Sequence, residues 1–199
     1  IVKLDKVVSA LSSRLPGVAK DQYSKKCLID EIVLTNKIEG VCSSRKEIDE
    51  ALDILEKQSD KKGRRHRFVG LVNRYLKLLT GEEIPLGSCQ DIRRIYDEVV
   101  AEEPKHAPDG KIFRKDISSV HSETDRVIHQ GLYPESKIIA AMEQALAFLG
   151  DDSVDRLCRI CIFHYLIEYI HPFYDGNGRL GRFILSYCIS ETLEPLLSY

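Results

Sequence analysis

One stretch constrains the fold more than any other: residues 154–187, where a segment apolar almost all round stops at a proline, crosses a glycine-rich turn and resumes as a second apolar segment. Between Val154 and Tyr169, residues Leu157, Ile160, Cys161, Ile162, Phe163, Leu166 and Ile167 fall on every side of a helix, which predicts a central buried one. The helix delivers His171 from its C-terminus, because Pro172 disfavours helical backbone at the residue before it. Gly176, Gly178 and Gly181 open conformations closed to other residues, and Phe183, Ile184 and Tyr187 then restart a helical spacing. Two rigid helices joined by such a loop predict a mostly α fold with a loop feeding a helix N-terminus.

The same turn concentrates chemistry. His171-Pro172-Phe173-Tyr174-Asp175-Gly176-Asn177-Gly178-Arg179-Leu180-Gly181-Arg182 holds an imidazole, a carboxylate, three glycines and two guanidiniums in twelve residues. Free backbone N–H groups and the positive end of the helix dipole make such a terminus a phosphate site. Arg179 and Arg182, three apart, lie on one face of the opening helix and offer planar forks to phosphate oxygens. Cations where the helix end is already positive point to a bound anion. Asp175, just ahead of the glycines, implies a divalent cation between carboxylate and phosphates, and Mg²⁺ is the usual one. His171, with a reference pKa of about 6.5, is the group in the run suited to accept a proton near neutrality. The set is equipped for attack by a hydroxyl on a nucleotide phosphate.

These twelve residues resemble the signature of the Fic (filamentation-induced-by-cAMP) family, His-Pro-Phe-x-Asp/Glu-Gly-Asn-Gly-Arg-x-x-Arg, with every fixed position filled. The resemblance implies a mostly α, Fic-like helical core with a small β-hairpin flap, plus a helical N-terminal portion. It implies a protein adenylyltransferase that moves AMP from ATP to a Ser, Thr or Tyr hydroxyl of a target protein and releases pyrophosphate. His171 would take the hydroxyl proton, and Asp175 would hold Mg²⁺ on the α- and β-phosphates. The Gly176-Asn177-Gly178 backbone and the Asn177 side chain would form the anion cradle. Arg179 would hold the β-phosphate side and Arg182 the γ-phosphate, while Pro172 and Phe173 fix the loop against the core. Two further readings stay open on the same residues: transfer of another phosphate-containing group or removal of AMP, and a nucleotide-sensing module without chemistry.

A second short pattern lies far upstream. From Val18 to Glu39 the residues Val18, Cys27, Leu28, Ile32, Val33 and Ile38 show broadly helical spacing, with Gly40 where the helix would stop. Its end, Thr35-Asn36-Lys37-Ile38-Glu39-Gly40, resembles the inhibitory motif of regulated Fic proteins, Ser/Thr-x-x-x-Glu-Gly/Asn, in the subgroup that carries it N-terminal to the signature. The resemblance implies that Thr35, Glu39 and Gly40 form an inhibitory element and that Glu39 pairs with Arg182. A carboxylate there competes with the γ-phosphate for one guanidinium fork.

The remaining chain divides by local signals. A short helix is predicted within residues 1–16. The capping box Ser44-Arg45-Lys46-Glu47 opens a helix to about Gln58. Asp60 to Gly63 breaks it, and Arg64-Arg65-His66-Arg67 leads another through Leu79, its basic run reading as an exposed helix start. Ser88-Cys89-Gln90-Asp91 caps a helix that ends before Pro104, and Glu135 to about Leu149 carries one more. Between them residues 105–134 lose the helical period, and a hairpin is predicted around Ser118 to His121 and Arg126 to His129. This region resembles the Fic flap, which would hold an extended target segment by strand addition. His121 and His129 read as surface residues. Arg114 resembles a family position and is assigned no catalytic role. His164 and Glu168, four apart, read as satisfying one another or the backbone rather than binding metal. The expected organisation is an N-terminal helical region over 1–87, carrying the inhibitory motif at 35–40, and a Fic core over 88–199.

Bulk properties bound the partners. With 199 residues, 43% apolar and 30% charged, the chain reads as an ordinary globular protein with one core, or two helical subdomains. A formal net charge of −2 argues against direct nucleic-acid binding by this segment, so phosphate binding must be local. No apolar run reaches the roughly 20 residues that span a bilayer, and no signal-peptide pattern is present, so the expected compartment is the cytoplasm. Cys27, Cys42, Cys89, Cys158, Cys161 and Cys188 are scattered and read as reduced and mainly buried. The implied partners are ATP, Mg²⁺ and a target protein docked at the flap, with no membrane, and a homodimer left open. The sole methionine is Met142 and the chain ends shortly after the signature, so it reads as a piece of a longer protein with its core truncated at the C-terminus.

Overall fold

The computed structural model describes residues 2–56, 68–100, 108–122 and 124–193. Among them are eight helices and one two-stranded hairpin: α1 Val2–Ser12, α2 Gly17–Ile38, α3 Arg45–Glu56, α4 Val69–Thr80, α5 Cys89–Val100, β1 Ser119–His121, β2 Val127–Gln130, α6 Glu135–Leu149, α7 Arg156–Ile170 and α8 Asn177–Ser190. The protein is therefore mostly helical with a small antiparallel hairpin, as the sequence predicts. The run Arg64 to Arg67, the break at Asp60 to Gly63 and the stop at Pro104 lie outside the described residues. No helix among the described residues is long and apolar enough to cross a membrane. The chain forms two compact units, residues 1–83 with 185–199, and residues 84–184.

In the first unit α2, α3 and α4 pack on one another. Leu28 and Ile32 of α2, Ile48 and Leu52 of α3, and Val72, Tyr75 and Leu78 of α4 are buried. Each such aliphatic side chain contributes about 1.5–3 kcal/mol on leaving water. The predicted capping box forms at α3. Ser44 Oγ accepts from the Glu47 N–H at 3.2 Å, and the Glu47 carboxylate accepts from the Ser44 N–H at 2.8 Å. The end of α2 is a Schellman turn: the Val41 N–H donates to the Asn36 carbonyl at 2.9 Å and the Gly40 N–H to that of Lys37 at 3.1 Å. Gly40 takes φ +70°, the left-handed position such a turn needs, which gives the glycine of the short upstream pattern a backbone cause. Thr35 is buried and Glu39 half-buried at that helix end.

In the second unit α6 packs on α7 and on α5. Ile92, Ile95, Ile138, Met142, Ile160, Phe163, Ile167, Phe173 and Phe183 supply the buried core. Asp155 caps α7, its Oδ1 accepting from the N–H groups of Leu157 at 3.0 Å and Cys158 at 3.2 Å. Two expectations need correcting here. Helix α7 is not buried all round: Arg159, Ile160, Phe163, Ile167 and Ile170 face inward, while Cys158, Cys161, Ile162, Tyr165 and Tyr169 are exposed. Apolar composition marks what a helix can bury, and only its neighbours decide which face is covered. Nor are the cysteines mainly buried: Cys89 and Cys188 are, whereas Cys158 and Cys161 on that outward face and Cys42 between α2 and α3 are exposed, and all six are free thiols.

The hairpin pairs Ser119 with Gln130 and Val120 with His129, with an irregularity before His121 pairs with Val127. It is held at its base by the Gly131 N–H, which donates to the Ser118 carbonyl at 3.0 Å.

Candidate active site

The site grows from the junction between α7 and α8, in the second unit. His171 caps α7 with φ +52°, an uncommon backbone for a residue with a side chain, and its N–H still reaches the Ile167 carbonyl at 2.9 Å. The last carbonyls of a helix lack partners within it. Here Tyr169 O accepts from His129 Nε2 at 2.8 Å, Ile170 O from the Leu132 N–H at 3.1 Å, and His171 O from Arg114 Nε at 2.9 Å. The segment around the hairpin therefore satisfies three consecutive carbonyls at the point where the imidazole leaves the helix.

The loop after His171 is fixed by its own apolar residue. Phe173 has no exposure, stacks on Tyr96 with ring centroids 3.6 Å apart and meets Phe113 edge-on at 5.4 Å. Asn177 latches the loop: its Oδ1 accepts from the Phe173 N–H at 3.0 Å and its Nδ2 donates to the Phe173 carbonyl at 2.8 Å. Both polar ends of that buried amide are engaged by backbone, so the Asn177 side chain shapes the turn that presents the helix amides. Tyr174 adds a second tie, its hydroxyl accepting from the Asp116 N–H and donating to Asp109 Oδ1, each at 3.0 Å. Gly176 has φ +76°, and a Cβ on it would lie 2.8 Å from both methyls of Val100. Any larger residue would push the turn off α5.

Helix α8 starts here, and the N–H groups of its first turn have no partners within the helix. Arg179 is buried, with Nη2 3.9 Å from Asp175 Oδ2, whereas Asp175 is half-exposed and Arg182 is partly exposed. Asp175 Oδ1 accepts from the Gly176 N–H at 2.7 Å. One half-exposed carboxylate beside helix-terminal amides fits Mg²⁺, a cation that takes one or two carboxylates and completes its shell with phosphate and water oxygens. The Tyr96 hydroxyl shares this corner. Burial, and then the Asp175 carboxylate, push its pKa up to about 12 against the opposing charge of Arg179.

Behind Arg182, a Cβ on Gly181 would lie 2.5 Å from Glu168 Oε1 and 3.2 Å from His164 Nδ1, so the His164 and Glu168 pair packs directly on the α8 backbone. Burial, with Arg182 nearby, holds the His164 imidazole below its usual range.

The second unit thus brings together His171, Asp175, Gly176, Asn177, Gly178, Arg179 and Arg182, while Thr35, Glu39 and Gly40 stand at the end of α2 in the first unit. Sequence reasoning missed the placing roles of Arg114 and His129. Their partners are 57 and 40 residues away, and a lone arginine or histidine in a polar segment carries no local signal of such a contact.

Residues 87–189, just over half of the chain, match the Fic/DOC family. The chain belongs to this family. A 42-residue stretch is 46% identical to a probable protein adenylyltransferase of Aquifex aeolicus (strain VF5), a match over 21% of this chain and 13% of that protein. The chain thus spans only a small part of that relative. Among solved structures, a Fic family protein from Desulfovibrio desulfuricans G20 aligns over the whole chain and 59% of its own, with 22% identity and a TM-score of 0.67. A Fic domain containing signaling protein from Bacteroides thetaiotaomicron VPI-5482 aligns over 95% of this chain and 72% of its own, with 16% identity and a TM-score of 0.66. At these identities the two structures speak for the Fic fold.

Proposed function

We propose that this Fic protein is an adenylyltransferase that moves AMP from ATP to a hydroxyl of a protein side chain, and that Glu39 restrains it. The observation that carries the reading is the α7–α8 junction, where a histidine freed from a helix end stands one loop away from a helix N-terminus flanked by Asp175 and Arg179. The comparison with a probable adenylyltransferase supports the same chemistry.

In the proposed reaction the amides of residues 177–179 and Arg179 hold the β-phosphate side of ATP, and Arg182 holds the γ-phosphate. His171 accepts the proton of the target hydroxyl as its oxygen bonds to the α-phosphorus. The bond from that phosphorus to the bridging oxygen breaks, and pyrophosphate leaves with the electron pair. Mg²⁺ held by Asp175 would supply charge neutralisation on the α- and β-phosphates. The target segment adds to the exposed edge of the hairpin, which sets register through main-chain hydrogen bonds and leaves its sequence free. Glu39 opposes all of this by competing with the γ-phosphate for Arg182, so that ATP binds in a non-productive pose.

The test uses the Glu39→Gly chain and ATP labelled at either the α- or the γ-phosphate. Protein-bound label from the α position alone, with release of pyrophosphate, and weaker labelling in the parent, is the expected result. Retention of γ label would mean phosphate transfer. Mg·ATP binding without any transfer would mean a sensing module. Either would overturn the reading.

A further inference from the structure

We propose that His129 is a positioning residue that pins the flap hairpin to the end of α7, and so sets how the flap edge sits relative to His171. The inference deepens the adenylyltransferase reading and rests on it for its activity arm. Strand β2 pairs only with β1 among the described residues, its Val127 and Ile128 are 52% and 67% exposed, and an isolated two-stranded hairpin is marginal in water. His129 is the half-buried residue of that strand, and its Nε2 donates to the Tyr169 carbonyl at 2.8 Å. That partner is a carbonyl oxygen, so Nε2 is the donor in this contact. The ring also lies against that of Tyr169, with centroids 5.3 Å apart, and meets the His171 ring edge-on at 6.2 Å.

One side chain therefore joins the strand that would carry the target to the helix end that carries the base. The two neighbouring bonds, Leu132 N–H to Ile170 O and Arg114 Nε to His171 O, hold the segments beside the hairpin. His129 alone among the three reaches from within β2. A shift of about 1 Å between base and hydroxyl can lower a rate by about 100-fold, so a loose flap would slow transfer without touching the ATP site.

The experiment uses the Glu39→Gly chain, ATP as the only added substrate and self-labelling as the readout. His129→Ala is expected to lower the rate at saturating ATP by about tenfold or more while KM for ATP stays within about twofold. His129→Gln, whose Nε2 can take the place of the imidazole Nε2, is expected to recover the rate to within about threefold. Amide hydrogen exchange over residues 127–131 reports on the pin without chemistry. It should quicken by about tenfold in the alanine variant and return in the glutamine one. Labelling by His129→Ala at the rate of its background, equal slowing by alanine and glutamine, or unchanged exchange would each overturn the proposal. Absence of transfer in the Glu39→Gly background would instead remove the adenylyltransferase reading, and the exchange comparison would then decide the pin by itself.

Discussion

Arg114 donates from Nε to the carbonyl oxygen of His171 over 2.9 Å, from a side chain with no solvent exposure. The same guanidinium donates to the carbonyls of Leu132, at 2.8 Å, and of Asp116. Its charge is met by carbonyl dipoles, and its planar fork ties the end of α7 to the segments on both sides of the hairpin. A lysine keeps the charge but loses the fork. Arg114→Lys should therefore lower the unfolding free energy by about 2–4 kcal/mol, since bonds to a charged donor contribute about 1.5–3 kcal/mol each. Urea unfolding checks this, and a loss under about 0.5 kcal/mol, the ordinary range for surface changes, would mean the fork is dispensable.

Gly131, just after β2, lies against His171, the proposed base. A Cβ there would press on the Arg114 guanidinium and lie 2.8 Å from Cβ of His171. Gly131→Ala should cost about 1–3 kcal/mol, as overpacking does, and should reduce the proposed transfer because the strain falls on His171. Gly150 at the end of α6 is the control: φ is −82° and a Cβ would find its nearest atom at 3.5 Å, an ordinary contact. Gly150→Ala should change stability by less than about 0.5 kcal/mol. Equal effects at the two positions would contradict the packing described at the site.

The His164 imidazole, held below its usual range by burial with Arg182 nearby, links stability to pH. A group whose folded pKa is depressed supports the fold above its unfolded pKa, about 6.5 for histidine, and that support is lost as pH falls, because the unfolded chain takes up the proton first. Urea midpoints of the parent should drop between pH 7.5 and 5.5 by more than those of His164→Gln, which does not titrate. Parallel pH profiles for the two proteins would remove His164 from this account.

What the sequence disclosed follows from how local each signal is. The capping box of Ser44 and Glu47 and the left-handed stop at Gly40 need only residues a few places apart, and the structure forms both. The bounds of α6, Glu135–Leu149, follow from spacing alone. The signature also placed the loop and the start of α8, because proline, glycine and asparagine act on the backbone beside them. The outward face of α7 was hidden, since Cys161, Ile162 and Tyr165 have the composition of a core yet no element among the described residues covers them. Arg114 and His129 were hidden for the opposite reason. Each is an ordinary polar residue until the chain folds and brings an unsatisfied helix carbonyl to it.

In the proposed reaction His171 takes the proton while the α8 turn holds ATP. This is tested most directly by comparing Glu39→Gly with Glu39→Gly/His171→Ala for AMP incorporation and, in parallel, for Mg·ATP binding by calorimetry. Removal of a general base lowers a rate by about 10²–10⁴-fold, so the double variant should incorporate AMP at least about 100-fold more slowly while binding Mg·ATP within about threefold of its parent. Incorporation at the parent rate would contradict the account, because the proton would then leave by another group.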